Sequence, residues 1–79
     1  MPRYYFHLYD DIISKDHEGQ LLPNIQAARV YAIEAARAMM AAEIQEKGTV
    51  SLSDWLEVED EQGEVVLIVK FDEAVNIKI

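Results

Sequence analysis

The sequence contains no cysteine among its 79 residues. That absence excludes disulfide bonds, thiol catalysis and cysteine-ligated zinc. Glycine is also scarce: its three copies stand far apart, so there is no glycine-rich loop to hold a phosphate group. The serines at 14, 51 and 53 lack the flanking glycines of a nucleophile elbow. We therefore predict no catalytic residue, no enzyme activity and no cofactor.

Positive charge is in short supply, with seven Lys and Arg against fifteen Asp and Glu and a net charge of −8. Non-specific binding to nucleic acids and to anionic membranes depends on basic side chains, so neither is expected as a partner. No apolar run, 65–69 included, is long enough to span a bilayer. The first residues also lack the shape of a signal peptide. A cytoplasmic protein is the expectation.

Length and composition predict one globular domain covering residues 1–79, because the chain is short and 51% hydrophobic. Its central feature is an alanine-rich amphipathic stretch that predicts a helix over 25–47. Asn24 is a suitable N-cap for this helix, and Gly48 is a suitable C-terminal stop. A stripe of alanines lets a helix approach a sheet closely, so we expect the large core side chains to come from strands.

Alternating side chains predict strands on both sides of the helix. Residues 3–9 form the first strand, and an irregular returning strand begins at 12–13. Residues 55–59 and 64–71 form a hairpin, and 75–79 predict a C-terminal edge strand. The predicted fold is therefore α+β: a two-layer sandwich in which one long helix covers one face of an antiparallel β-β-α-β-β sheet extended by the edge strand.

Both faces of the predicted sheet carry large apolar side chains. One face packs on the helix, whereas the opposite face would be polar in an ordinary monomer. An exposed apolar surface of this kind indicates an interaction site. The candidate partner-binding residues lie on this face and on the tail strand: Tyr5, His7, Tyr9, Trp55, Val66, Ile68, Ile77 and Ile79. Two alternatives stay open: a bulge that exchanges the faces of one strand, and a tail that folds over the outer face.

The only imidazoles are those of His7 and His17. Carboxylates lie near them, but the spacing matches neither a calcium loop nor a zinc motif. We therefore expect no metal site, and an enzyme or metal protein built on these histidines ranks behind the two functional hypotheses given at the end of this section.

Several segments resemble a family of short bacterial proteins, about eighty residues long, that is classed as a domain of unknown function. The resemblance follows the chain from the opening Met-Pro-Arg-Tyr-Tyr-Phe-His-Leu, through Glu18-Gly19 and Leu22-Pro23, to the alanine- and arginine-rich helix at 27–29. It continues through Trp55 to Ala74-Val75. The resemblance implies no particular activity.

The first half also resembles the HicB-type antitoxin domain, which opens with an aromatic strand and hairpin followed by a Leu-Pro-Asx helix start like Leu22-Pro23-Asn24. The sequence lacks the DNA-binding domain appended to many such antitoxins, so operator binding is not expected. A basic toxin would be the partner that this resemblance implies, and the net charge of −8 would suit it.

Two functional hypotheses follow. The first is a non-enzymatic interaction module that self-associates, as a symmetric dimer, through the outer sheet face or the C-terminal strand. The alternative is an antitoxin-like or inhibitory partner of a basic protein, with the acidic residues from Glu57 to Glu64 at the contact.

Overall fold

A computed structural model describes all 79 residues, 1–79. The predicted long helix is confirmed as α1, Ile25–Lys47. The Asn24 side chain accepts the N–H of Ala27, and Gly48 adopts a left-handed conformation (φ 70°) in which its N–H donates to the Ile44 carbonyl. Both ends of the helix are therefore fixed by local hydrogen bonds. No helix of the chain is both long enough and apolar enough to cross a membrane.

Five antiparallel strands form one open sheet: β1 Arg3–Tyr9, β2 Ile13–Ser14, β3 Gln20–Leu21, β4 Trp55–Glu59 and β5 Val65–Lys70. The strand order is β2-β1-β4-β5, and β3 also pairs with β1. Since β2 lies against the end of β1 and β3 against its start, the two short strands act as one interrupted strand. This agrees with the irregular second strand that the sequence predicts.

The core lies between α1 and one face of the sheet. Its buried members are Tyr4, Ala28, Ala32, Ala36, Met40, Leu56, Val58, Val69, Phe71 and Ala74. The alanines of α1 allow close approach, and the large side chains, except that of Met40 on α1, come from the strands and from the short C-terminal helix. The ring of Phe6 on β1 also packs 4.6 Å, centroid to centroid, from Tyr31 on α1. The predicted α+β sandwich is thus confirmed.

The predicted C-terminal edge strand is wrong. Residues Phe71–Ala74 instead form a short helix, α2, and residues 75–79 have no regular structure. The chain leaves the sheet at this point because Phe71 and Ala74 are buried in the core, and Arg37 of α1 donates a hydrogen bond from Nε to the Ala74 carbonyl at 2.6 Å. Ile77 and Ile79 therefore remain exposed outside the sheet.

A bulge in β5 corrects the predicted faces of two valines. Val58 pairs with Leu67, but the next residue, Glu59, pairs with Val65. Val66 is the extra residue, and it packs against the core, whereas Val65 is 47% exposed. Simple alternation predicts the reverse, with Val65 facing the helix and Val66 on the outer face. That prediction is wrong, because the inserted residue exchanges the faces of the two valines.

Candidate functional site

The sheet face opposite α1, called the outer face below, is built from three cross-strand rows. Its nine residues are Tyr5, Glu59 and Val65 in the first row; His7, Glu57 and Ile68 in the second; and Tyr9, Trp55 and Lys70 in the third. Five of the eight predicted partner-binding residues are brought together there: Tyr5, His7, Tyr9, Trp55 and Ile68. The structure does not bring the other three, Val66, Ile77 and Ile79, to this face.

One end of the outer face is aromatic. The rings of Tyr9 and Trp55 stack with their centroids 5.3 Å apart and their planes 9° from parallel. Trp55 donates a hydrogen bond from Nε1 to the Glu57 carboxylate at 3.2 Å, and the Lys15 ammonium lies 5.9 Å from the Tyr9 ring centroid. The two rings thus shield each other, and each is only half-buried.

His7, in the middle of the outer face, is 5% exposed. Its Nδ1 accepts the backbone N–H of Asp16 at 3.0 Å, so the neutral ring carries its proton on Nε2. The Glu59 carboxylate lies 3.2 Å from Nε2, yet Nε2 forms no well-directed hydrogen bond. We therefore treat the Glu59 contact as electrostatic rather than as an aligned hydrogen bond. The nitrogens of His7 are occupied or buried within the fold.

Asp16 fastens the loop between β2 and β3 onto β1. Its carboxylate accepts three backbone N–H groups, from Phe6, Glu18 and Gly19, each at 3.1 Å. Burial alone would raise the pKa of Asp16, but these three donors, aided by His7, hold it below the ordinary aspartate value. The gap between β2 and β3 leaves backbone N–H groups without a strand partner, and the Asp16 carboxylate accepts three of them.

This loop covers the β1 side of the outer face. It borders a shallow polar cavity lined by Tyr5, His7, Lys15, Asp16, His17, Glu59, Glu61 and Gly63. Close packing of the loop requires glycine at 19, since its φ is 71° and a Cβ there would lie 2.8 Å from the Tyr4 carbonyl oxygen. No group of three or more His, Asp or Glu side chains in residues 1–79 is arranged to hold a metal ion.

The β5 side of the outer face stays open. Val65 and Ile68 are 47% and 49% exposed, and β5 is the last strand of the sheet. Its far main-chain edge has no neighbouring strand. We call this region the β5 border, defined by Val65, Ile68, Lys70 and the free edge of β5. Sequence reasoning found Ile68, but the position of the free edge depends on strand order and was not predicted.

A second cavity lies between the end of α1 and the sheet. It is lined by Leu8, Asp10, Met39, Ala42, Glu43, Glu46, Lys47, Asp54 and Phe71. Burial raises the pKa of Asp54; the Ser51 hydroxyl at 3.0 Å opposes this shift, and the charges of Asp10, Glu43 and Asp11 add to it. These carboxylates are far apart in the sequence, and only the tertiary fold brings them together.

Some carboxylates of the acidic hairpin, residues 57–64, are already engaged in contacts within the fold. Asp60 caps its turn by accepting the N–H groups of Gln62 and Glu64 at 2.9 and 3.0 Å. Glu57 and Glu59 contact Trp55 and His7, as described above. The exposed carboxylates of this cluster are those of Glu61 and Glu64.

Comparison with known proteins gives one match, to the family described as Domain of unknown function (DUF6894), over residues 3–72. This span runs from the first residue of β1 into α2. No curated protein and no solved structure matches the chain. The predicted likeness to a family of unknown function is confirmed, and the likeness to HicB-type antitoxins stays a prediction.

Proposed function

This chain belongs to the DUF6894 family, a domain of unknown function, and we propose from its own surface that it is a non-enzymatic protein-interaction module that self-associates as a symmetric dimer through the outer face. The observation that carries this proposal is the β5 border, where Val65 and Ile68 are each about half exposed beside the Tyr9–Trp55 stack. Apolar surface removed from water contributes roughly 25 cal/mol per Å², which offsets the entropy cost of association.

Small size strengthens the case for self-association. A domain of this length buries only about 60% of the surface of its unfolded chain, and its core supplies about 3–5 kcal/mol. The fully buried side chains larger than alanine are few: only Leu56, Val58 and Val69 are less than 2% exposed. The chain has no cysteine for a stabilising disulfide. A second copy that covers the β5 border would add apolar burial that the monomer lacks.

Substitution of Ile68 by Glu tests the proposal. We expect the wild type to elute as a dimer at tens of micromolar in size-exclusion chromatography with light scattering, and Ile68→Glu to elute as a monomer. Ile12→Glu is the matched control, because Ile12 is 70% exposed and lies in the β1–β2 turn, outside the outer face. An equal loss of the dimer in both variants would contradict a role for the outer face.

Binding to a basic protein is the second candidate function. It is favoured by the net charge of −8 and by the carboxylates around the second cavity, which stand beside apolar Met39 and Phe71. We expect the immobilised chain to retain a basic protein from native lysate at low salt and to release it at high salt. The triple variant Asp10→Asn, Glu43→Gln, Glu46→Gln should lose it. Equal retention by this variant would reject the acidic cavity as the contact.

A further inference from the structure

We propose that His7 is a pH-sensitive switch for the β2–β3 loop, residues 15–19. The neutral ring holds the loop against β1 by accepting the Asp16 N–H, and the protonated ring releases it. Histidine is the side chain that ordinarily changes its charge between about pH 5 and pH 8. Every group of the switch belongs to one copy of the chain, so it operates with or without self-association.

The hydrogen bond from Asp16 to His7 exists only while the ring is neutral. The Asp16 N–H points at Nδ1 at 3.0 Å, so Nδ1 contributes a lone pair. In the imidazolium form both ring nitrogens carry a hydrogen, and Nδ1–H would face the N–H of Asp16. Two donors that face each other repel, so the peptide group at Asp16 has to move when the proton arrives.

Burial of the ring converts this repulsion into movement of the loop. His7 is 5% exposed, so the chain itself, rather than water, surrounds the ring. The polar groups that contact its nitrogens come from Asp16 of the loop and Glu59 of β4. Since β4 is fixed in the sheet between β1 and β5, the loop is the part that can yield.

Carboxylates beside the ring allow the folded chain to take up the proton. The Glu59 carboxylate lies 3.2 Å from Nε2 and can pair with the imidazolium. The lowered pKa of Asp16 keeps its carboxylate ionised over the same pH range. A buried cation without such partners would be strongly disfavoured. Protonation therefore changes the loop locally and leaves the rest of the fold in place.

The charges around His7 are mainly acidic. Its cross-strand neighbours on the outer face are Glu57 of β4 and, beyond it, the uncharged Ile68 of β5. The ammonium of Lys15 lies 5.9 Å from the Tyr9 ring centroid, and His17 is exposed, where solvent screens its charge. The titratable groups that line the cavity beside His7 are Tyr5, Lys15, Asp16, His17, Glu59 and Glu61.

The other attachments of the loop limit how far it moves. Two hydrogen bonds of the Asp16 carboxylate, to Glu18 and Gly19, lie within the loop and can move with it. The third joins the loop to β1 at the Phe6 N–H, and Arg3 donates to the Glu18 carbonyl at 2.8 Å. The released loop therefore swings outward from these points without detaching, and the β1 side of the outer face becomes more accessible in acid.

Nitrogen-15 NMR of the labelled chain tests the switch directly. The shifts of the ring nitrogens report the tautomer and the added proton, and a scalar coupling across the N–H···N bond links the Asp16 and His7 nitrogens. We expect this coupling and a neutral ring at about pH 8, and imidazolium without the coupling at about pH 5. Amide exchange at Asp16, corrected for its intrinsic pH dependence, should become about tenfold faster, which corresponds to one net hydrogen bond.

His7→Asn separates the acceptor from the titrating proton. The asparagine Oδ1 is bonded to Cγ, as Nδ1 is, so it can accept the Asp16 N–H, but it does not titrate. We expect the corrected exchange rate at Asp16 in this variant to be the same at both pH values. His17→Asn is the matched control, since it removes the exposed imidazole of the same loop and should keep the wild-type response.

Several results would overturn the switch. They are a wild-type ring that stays neutral down to about pH 5, and a ring that becomes protonated without faster exchange at Asp16. An equal pH response in His7→Asn, or a lost response in His17→Asn, would also contradict it. So would equal acceleration at the amide of buried Val58, because that indicates unfolding of the whole sheet. If His7→Asn does not fold, the wild-type coupling and His17→Asn still decide the question.

Discussion

At the scale of single residues, Asp16 does the most to shape the outer face. Its carboxylate takes the place of strand hydrogen bonds along β1, and its own N–H fixes the ring of His7. Asp16 therefore makes most of the hydrogen bonds that hold the loop over the outer face, and Arg3 of β1 adds one to the Glu18 carbonyl. The sequence shows an acidic residue shortly before Glu18-Gly19 but gives no sign that it reaches back to Phe6.

Asp16→Asn should lower the free energy of unfolding by about 1–3 kcal/mol. The asparagine oxygen can still accept the N–H groups of Glu18 and Gly19, but its NH₂ group would face the N–H of Phe6, which would lose its acceptor. Urea denaturation measures the change. Asp11→Asn, at an exposed turn position, is the control and should differ little from wild type. Equal stabilities of the two variants would show that the Asp16 contacts contribute nothing.

The lowered pKa of Asp16 predicts a pH dependence with a definite sign. A carboxyl group whose folded pKa is below its unfolded value stabilises the fold above the unfolded pKa, about 4, and this contribution disappears as the pH falls through the folded pKa. The wild type should therefore lose more stability than Asp16→Asn below about pH 4. Thermal melts at a series of pH values measure this difference, and parallel curves for the two proteins would contradict it.

At the scale of elements, the sequence predicted the features that depend on neighbouring residues, such as the ends of α1. It did not predict the features that depend on tertiary contacts. Asn24 and Gly48 sit beside the residues they cap, so the sequence placed both ends of α1 correctly. Period-two alternation likewise placed Tyr5, Tyr9 and Trp55 on one face. Such patterns need only neighbours in sequence.

The errors arose where tertiary packing decides the outcome. The alternating tail at 75–79 suggested a strand, but burial of Phe71 and Ala74 against α1 turns the chain out of the sheet. The bulge at Val66 depends on how β5 pairs with β4, which composition does not reveal. Coverage of His7 by the β2–β3 loop depends on contacts nine and ten residues apart in sequence.

At the scale of the whole molecule, the outer face divides into two parts. The chain's own loop covers the β1 side, and the β5 border has no covering segment within residues 1–79. The sequence predicts an exposed apolar surface over the whole outer face. In the structure, the large apolar side chains that remain about half exposed on this face, Val65 and Ile68, belong to one strand, β5. Dimerisation through the outer face and binding of a basic partner at the acidic cavity involve different surfaces, because that cavity lies beside α1 and is lined by none of the nine outer-face residues.

Sedimentation equilibrium of the wild-type chain over a wide range of concentrations tests self-association most directly. The account predicts a weight-average mass that rises from the 9.0 kDa monomer to twice that value and stops there, because a symmetric interface between two copies closes the assembly. A mass that remains at 9.0 kDa up to several hundred micromolar would contradict it.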